Sequence, residues 1–209
     1  MLTTKETFFA LSTPMGRSAT ATIRINGEKA LDTLLQLSKK KKKDIKHAKN
    51  LLVNIYNKNN DLIDNSISTY YKKPKSYTGE DLVEIHTHGN PTIINTLSKK
   101  LLEMGVRPAE PGEFTKTAYL NGKIDLVQAE SVLLLINSTS ASGVSLSLNS
   151  VSGFATNELQ NTKNFLVSAL ALLEYELDIS ETENQKTTTA EVYKKLKKTI
   201  KNVNHYLSS

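Results

Sequence analysis

Apolar and polar positions along this chain of 209 residues change period near residue 113. Upstream, short apolar runs alternate with polar residues at the two-residue period of strands; downstream, the spacing becomes three and four. Segments 7–11 and 20–25 are β-rich. In the second, Arg24 falls on one face and Ile23 and Ile25 on the other. Residues 27–37 carry Ala30, Leu31, Leu34, Leu35 and Leu37, the pattern of a short amphipathic helix. Segments 51–56 and 61–71 flank Asn57-Lys58-Asn59-Asn60, a hairpin signal. Segment 81–88 alternates, with Leu82, Glu84, His86 and His88 opposite Val83 and Ile85. Pro91 then opens a helix running to Met104, with Ile93, Ile94, Leu97, Leu101 and Leu102 as its buried stripe.

From Glu113 the pattern is helical. Segment 125–138 is apolar almost all round, which predicts burial on several sides. Val144-Ser145-Leu146-Ser147-Leu148 alternates like a strand, but its helical neighbours favour a helix. Segment 154–177 spaces Leu159, Leu166, Leu170, Leu173 and Leu177 by seven, four, three and four, a seam for other helices. After a polar loop over 180–189, segment 190–207 sets Val192, Leu196, Ile200, Val203 and Leu207 on one side, with lysines over much of the rest.

Between the two patterns lies RPAEPGEFTKTAYLNGKIDLVQAE, residues 107–130. Pro111-Gly112-Glu113 suits a helix start with a carboxylate at its positive end. Asn121-Gly122 suits the left-handed geometry that ends a helix, leaving Lys123 on a stiff corner.

Composition narrows the classes. The chain has no cysteine, which excludes disulfides, thiolate catalysis and cysteine-based zinc sites within it. No apolar run reaches membrane-spanning length and the N-terminus lacks a signal-peptide layout, so a soluble, cytoplasmic protein is expected. Asn137-Ser138-Thr139 fits a glycosylation pattern without meaning there. Hydrophobic residues make up 38%, enough for a core, and the net charge is +6. Only Arg17, Arg24 and Arg107 are arginines. The lysine excess reads as a compositional habit and is discounted as evidence for RNA binding.

Arg24 and Glu84 are charges set between apolar neighbours on core strands, and each needs a partner or a ligand. On residues alone, an internal salt bridge is the commoner explanation. His86 and His88 resemble half a metal site, and two ligands are too few. The lysine run 39–43 reads first as a solvated loop, with contact to a nucleic acid as the sharper alternative. Thr13-Pro14-Met15-Gly16-Arg17 reads as a surface turn before a ligand loop. No Ser-His-Asp set or catalytic carboxylate pair stands out, and no GxxxxGK[ST] phosphate loop occurs.

TPMGR, ATIRI, KSYTGEDLVEIHTHG, PGEF with TAYLNGKIDLVQAE, and ALLEYELDI occur in an order that resembles the N-terminal part of the MnmE/TrmE tRNA-modification GTPases. The resemblance spans most of residues 6–180. It implies an α+β fold: a mixed α/β folate-binding and dimerisation domain over 1–122, similar to the folate-binding aminomethyltransferases. An all-α helical domain over 123–209 follows, incomplete in this chain. The family's folate-contacting arginine, glutamate and lysine fall on Arg24, Glu84 and Lys123. The implied cofactor is 5-formyltetrahydrofolate or a related reduced folate; the whole family protein also uses GTP, Mg2+ and K+. Implied partners are a second copy through the N-terminal domain, the flavoprotein MnmG/GidA, and tRNA whose wobble uridine receives an aminomethyl-type group at C5. This chain is expected to hydrolyse no GTP alone. The chain departs from the family where a glycine-rich stretch usually follows TPMGR, with Ser18-Ala19-Thr20-Ala21 instead, and at Gly89-Asn90, usually two glycines. Asn90 is expected to tolerate the left-handed region there. Rival classes are a stand-alone aminomethyltransferase-like enzyme, a non-catalytic dimerising remnant and a basic RNA-binding module.

Overall fold

A computed structural model describes residues 6–179 and 186–208. Strands β1 (Phe8–Leu11), β2 (Ser18–Asn26), β3 (Asn50–Tyr56), β4 (Leu62–Tyr71), β5 (Leu82–Gly89) and β6 (Arg107–Pro108) form one sheet in the order β3-β4-β5-β2-β1-β6. All neighbours are antiparallel except β1 and β6. Helices α1 (Ala30–Ser38) and α2 (Pro91–Glu103) pack on the sheet. Helix α3 (Glu113–Leu120) follows β6.

The two-residue alternation decides what these helices cover. Ile23 and Ile25 of β2, Val83 and Ile85 of β5, and Val53 and Ile55 of β3 join Leu34 and Leu37 of α1 and Ile94, Leu97 and Leu101 of α2 in one buried cluster. Fully burying a side chain of this size stabilises by about 1.5–3 kcal/mol, so the cluster fixes the register of every strand in it. The opposite face of β2, β4 and β5 is left with Thr22, Arg24, Thr69, Tyr71, Glu84 and His86. Phe114 of α3 packs edge-on to Phe8, ring centroids 5.0 Å apart, and covers the β1 end.

Two expectations change here. The stripe of α2 narrows to Ile94, Leu97 and Leu101, because Leu102 is 49% exposed. Asn90 is extended (φ −105°, ψ 122°) and caps α2, its side chain accepting from Thr92 N at 2.8 Å. Asparagine there serves as a helix cap, not as a left-handed residue. Gly89 is the tight position: a Cβ on it would lie 2.0 Å from Ser18 Oγ.

The chain divides into two compact units, one ending at Ala129 and the next starting at Glu130. Helix α4 (Leu126–Asn137) is capped by Asp125 and Gln128, each backbone N–H donating to the other's side chain at 2.9 and 2.8 Å. Helices α5 (Ala141–Val151), α6 (Phe154–Ile179) and α7 (Lys186–Ser208) follow; α5 packs on α6 and α6 on α7. The alternating 144–148 run is helical, as its neighbours required. Helix α7 starts at Lys186, so residues 187–189 belong to it and not to a loop; residues 180–185 lie outside the described residues. The predicted burial of α4 fails. Ser131 is its buried residue, while Leu133, Leu134 and Ile136 are more than 60% exposed. An apolar pattern states which surface is costly to wet, not whether this chain supplies the surface that covers it.

Candidate functional site on the open face of the sheet

Register creates the site. In the antiparallel ladder of β2 and β5, Arg24 stands opposite Glu84 and Thr22 opposite His86, and side chains directly opposite on one face are within reach. Arg24 Nε donates to Glu84 Oε1 at 2.8 Å; the glutamate side chain is 14% exposed and the arginine 39%. The second carboxylate oxygen of Glu84 lies 3.9 Å from His86 Nε2. His86 Nδ1 is 2.9 Å from Thr22 Oγ1. From the other side β4 sets Thr69 opposite Glu84, its hydroxyl donating to Asn50 Oδ1 at 2.6 Å. Burial pushes the Tyr71 phenol up from its ordinary pKa; Glu84 adds to that and Arg24 opposes it. Tyr71 therefore shares the field of the ion pair as a neutral hydroxyl.

A second cluster adjoins the first at the end of β2. Asn26 donates to Glu80 Oε2 at 2.7 Å and accepts from Thr78 Oγ1 at 2.5 Å, and Thr78 Oγ1 also accepts from Glu80 N at 3.2 Å. Asn121, just past α3, donates to Thr78 O at 2.8 Å. Burial raises the Glu80 carboxyl above its ordinary pKa, and hydrogen bonds from Asn26 and Asn121 offset part of that. These bonds tie the loop between β4 and β5 to both β2 and α3.

Lys123 completes this second cluster. Gly122 takes the left-handed conformation (φ +66°), as the Asn-Gly pair predicts. Lys123 then lies along Gly79, where an added Cβ would come within 3.2 Å of its Cγ, and its ammonium donates to Pro74 O at 3.1 Å. Arg24 and Glu84 are thus brought together directly. Lys123 is placed on the adjoining loop, reached from Arg24 through Asn26, Thr78 and Gly79.

The histidine pair separates into different environments. His88 Nδ1 is 2.7 Å from Asp64 Oδ1, and its backbone N–H donates to Asp64 Oδ2 at 2.9 Å. Burial alone would raise Asp64, but the bonds from His88 and Ser66 outweigh it and hold the carboxyl below its ordinary value. Among the described residues no group of three or more His, Cys, Asp or Glu is placed to hold a metal.

Glu113, predicted at a helix start, is a buried ion-pair partner. Arg107 Nη1 and Nη2 donate to its two carboxylate oxygens at 2.9 and 2.5 Å, and Glu110 N donates to it at 2.8 Å. Arg107 lies over the Phe8 ring, 5.2 Å from its centroid. Arg17 is exposed, in the turn between β1 and β2.

Comparison with known proteins fits this arrangement. Residues 7–123 match the family profile described as the N-terminus of the GTP-binding protein TrmE, and residues 126–209 match the MnmE helical domain. The chain belongs to the MnmE/TrmE family. It is 41% identical over 177 residues to the tRNA modification GTPase MnmE of Fervidobacterium nodosum, an alignment covering 83% of this chain and 39% of that protein. Against MnmE of Francisella philomiragia the identity is 40% over 180 residues, covering 86% and 39%. The chain thus spans about two fifths of the length of the curated relatives it matches. Within the MnmE N-terminal match lie Arg24, Glu84 and Lys123, and also Tyr71, Asn26, Glu80 and Asn121, which sequence reasoning missed. Strand parity could have put Asn26 and Tyr71 on the Arg24 face; nothing in the sequence joins Glu80 to Asn121.

Proposed function

We propose that this chain carries the reduced-folate site of a tRNA-modification GTPase. Glu84 accepts paired N–H donors of the pterin ring with the Arg24 guanidinium beside it at that end, and Lys123 holds a carboxylate of the glutamyl tail. The chemistry of the donor set supports the reading: a nearly buried carboxylate needs charge-assisted partners, and an ammonium on a flexible stem suits a carboxylate as a point charge. When bound, the folate supplies the one-carbon unit for C5 of wobble uridine. The chain's own part is to orient the folate and, through its N-terminal domain, to pair with a second copy. In the whole protein, work on tRNA proceeds with the flavoprotein MnmG/GidA and is driven by GTP hydrolysis with Mg2+ and K+. Work on tRNA of this kind belongs to the cytoplasm; separately, among the described residues no helix is long and apolar enough to cross a membrane.

The Arg24–Glu84 pair on the uncovered face of the sheet carries the proposal. Titration calorimetry with 5-formyltetrahydrofolate tests it. Wild-type protein binds, and Glu84→Gln weakens binding at least tenfold, about 1.4 kcal/mol, because an amide offers one acceptor where the carboxylate offers two. Unchanged affinity in that variant removes Glu84 from the site. No binding by the wild-type chain leaves the rival reading of a dimerising remnant.

A further inference from the structure

The positive charge of this chain is concentrated in one place. Residues 39–49, KKKKKDIKHAK, hold seven lysines and one aspartate, a formal +6 that equals the net charge of all 209 residues. The rest of the chain is therefore neutral overall, so the net charge is local even though lysine outnumbers arginine throughout. All seven lysines are exposed, and among the described residues none of the seven forms an ion pair.

The loop that carries them has a defined backbone. Lys39 and Ala48, near its two ends, take left-handed conformations (φ 53° and 52°), a region that non-glycine residues other than Asn and Asp seldom enter. Residues Lys42–Asp44 form a 3-10 turn. Asp44, the one acid, accepts from Lys41 N at 3.1 Å, so its carboxylate serves the backbone. Ala48 N donates to Tyr70 O at 2.8 Å and Lys72 N to His47 Nδ1 at 3.0 Å, docking the loop on the end of β4. That docking brings the exposed Lys72 beside it. Lys39 Nζ sits 4.3 Å above the Tyr56 ring on edge strand β3. A cavity of about 420 Å³ there is lined by Ser38, Lys39, Lys40, Leu52, Asn54 and Tyr56.

From this arrangement we infer that loop 39–49 and the adjoining edge of β3 form a docking surface for an RNA phosphate backbone. Fixed like charges in such density repel one another, and a polyanion relieves that repulsion while releasing its own counterions. A cavity combining two ammonium groups, an amide and a tyrosine ring suits one phosphate with its nucleoside. The inference rests on the proposed work on tRNA. It is independent of the folate site.

Fluorescence anisotropy with a labelled, unmodified tRNA transcript in 50 and 200 mM KCl tests it. One variant replaces Lys39, Lys40, Lys41, Lys42 and Lys43 by Gln. A matched control replaces Lys194, Lys195, Lys197, Lys198 and Lys201 of α7 by Gln, removing equal charge elsewhere. The loop variant should bind at least tenfold more weakly at 50 mM. Its plot of log K against log salt should flatten by about 0.7–0.9 for each phosphate that the loop no longer neutralises, while the control stays within about twofold of wild type. Equal weakening in both variants would reduce the effect to net charge and overturn the proposal. Absence of RNA binding, or tighter wild-type binding to polyglutamate than to tRNA, would also overturn it, the latter in favour of an acidic protein partner. Folate calorimetry on the loop variant separates the readings: intact folate affinity with weakened RNA binding locates RNA docking at this loop, and weakened folate binding exposes a folding defect. Tyr56→Leu keeps every charge and reads the aromatic contribution as a drop of roughly tenfold; an unchanged affinity confines docking to the lysines, against the nucleoside part of the inference.

Discussion

Arg24 and Glu84 meet at 2.8 Å because the β2–β5 register places them opposite one another, sixty residues apart in sequence. The arginine is 39% exposed, and half-exposed ion pairs contribute little to stability, on the order of 0–1 kcal/mol. A double-mutant cycle of Arg24→Gln and Glu84→Gln should therefore return a coupling below about 1 kcal/mol in urea unfolding. Both single variants should fold and both should lose folate affinity. A coupling of several kcal/mol would make the pair a structural clamp and remove the reason for assigning it a ligand.

Gly79 governs where Lys123 lies. Its φ of +80° is strained for any side chain, and a Cβ would come within 3.2 Å of Lys123 Cγ and 3.3 Å of Asn121 Cβ. Gly79→Ala should cost roughly 1–2 kcal/mol through the backbone and also push the lysine stem aside. Melting curves read the first effect and folate titration the second. Lys123→Met should cost affinity while leaving the melting curve nearly unchanged. If Gly79→Ala lowers stability with folate affinity intact, the placement of Lys123 on this loop has no bearing on the ligand.

What is legible in the sequence follows from the range of the interactions. Alternation in β2 and β5 reports the buried isoleucines and puts Arg24 and Glu84 on the other face, since strand parity is local. The Asn121-Gly122 stop and the helix after Pro91 are legible for the same reason. Where the Lys123 ammonium goes is not, because its acceptor is Pro74, 49 residues upstream, and only the closed loop brings the two together. For Asn90 and Glu113 the sequence offers conformational preference alone. The first proves to be a cap and the second the partner of Arg107, each decided by a neighbour that the preference does not contain. In α4 the apolar pattern is a sound sign of demand for burial and a poor sign of its fulfilment.

Arg107 and Glu113 yield a pH prediction with a definite sign. Hydrogen bonds from Arg107 hold the Glu113 carboxyl below its ordinary value of 4.5, against the opposing effect of burial. A carboxylate whose folded value is depressed binds protons more readily once unfolded, so its stabilisation is complete above about 4.5 and fades as pH falls through the lowered folded value. Glu113→Gln leaves the guanidinium facing an amide beside Phe8. That change should cost about 2–3 kcal/mol at pH 7, below the range for fully buried pairs because Arg107 is one-third exposed. Urea midpoints compared at pH 7, 4.5 and 3 should then converge: wild type loses stability as Glu113 is protonated, whereas the variant has no carboxylate to titrate there. A difference that stays constant from pH 7 to 3 would mean that packing around Phe8 and Phe114, and not the charge, accounts for the loss.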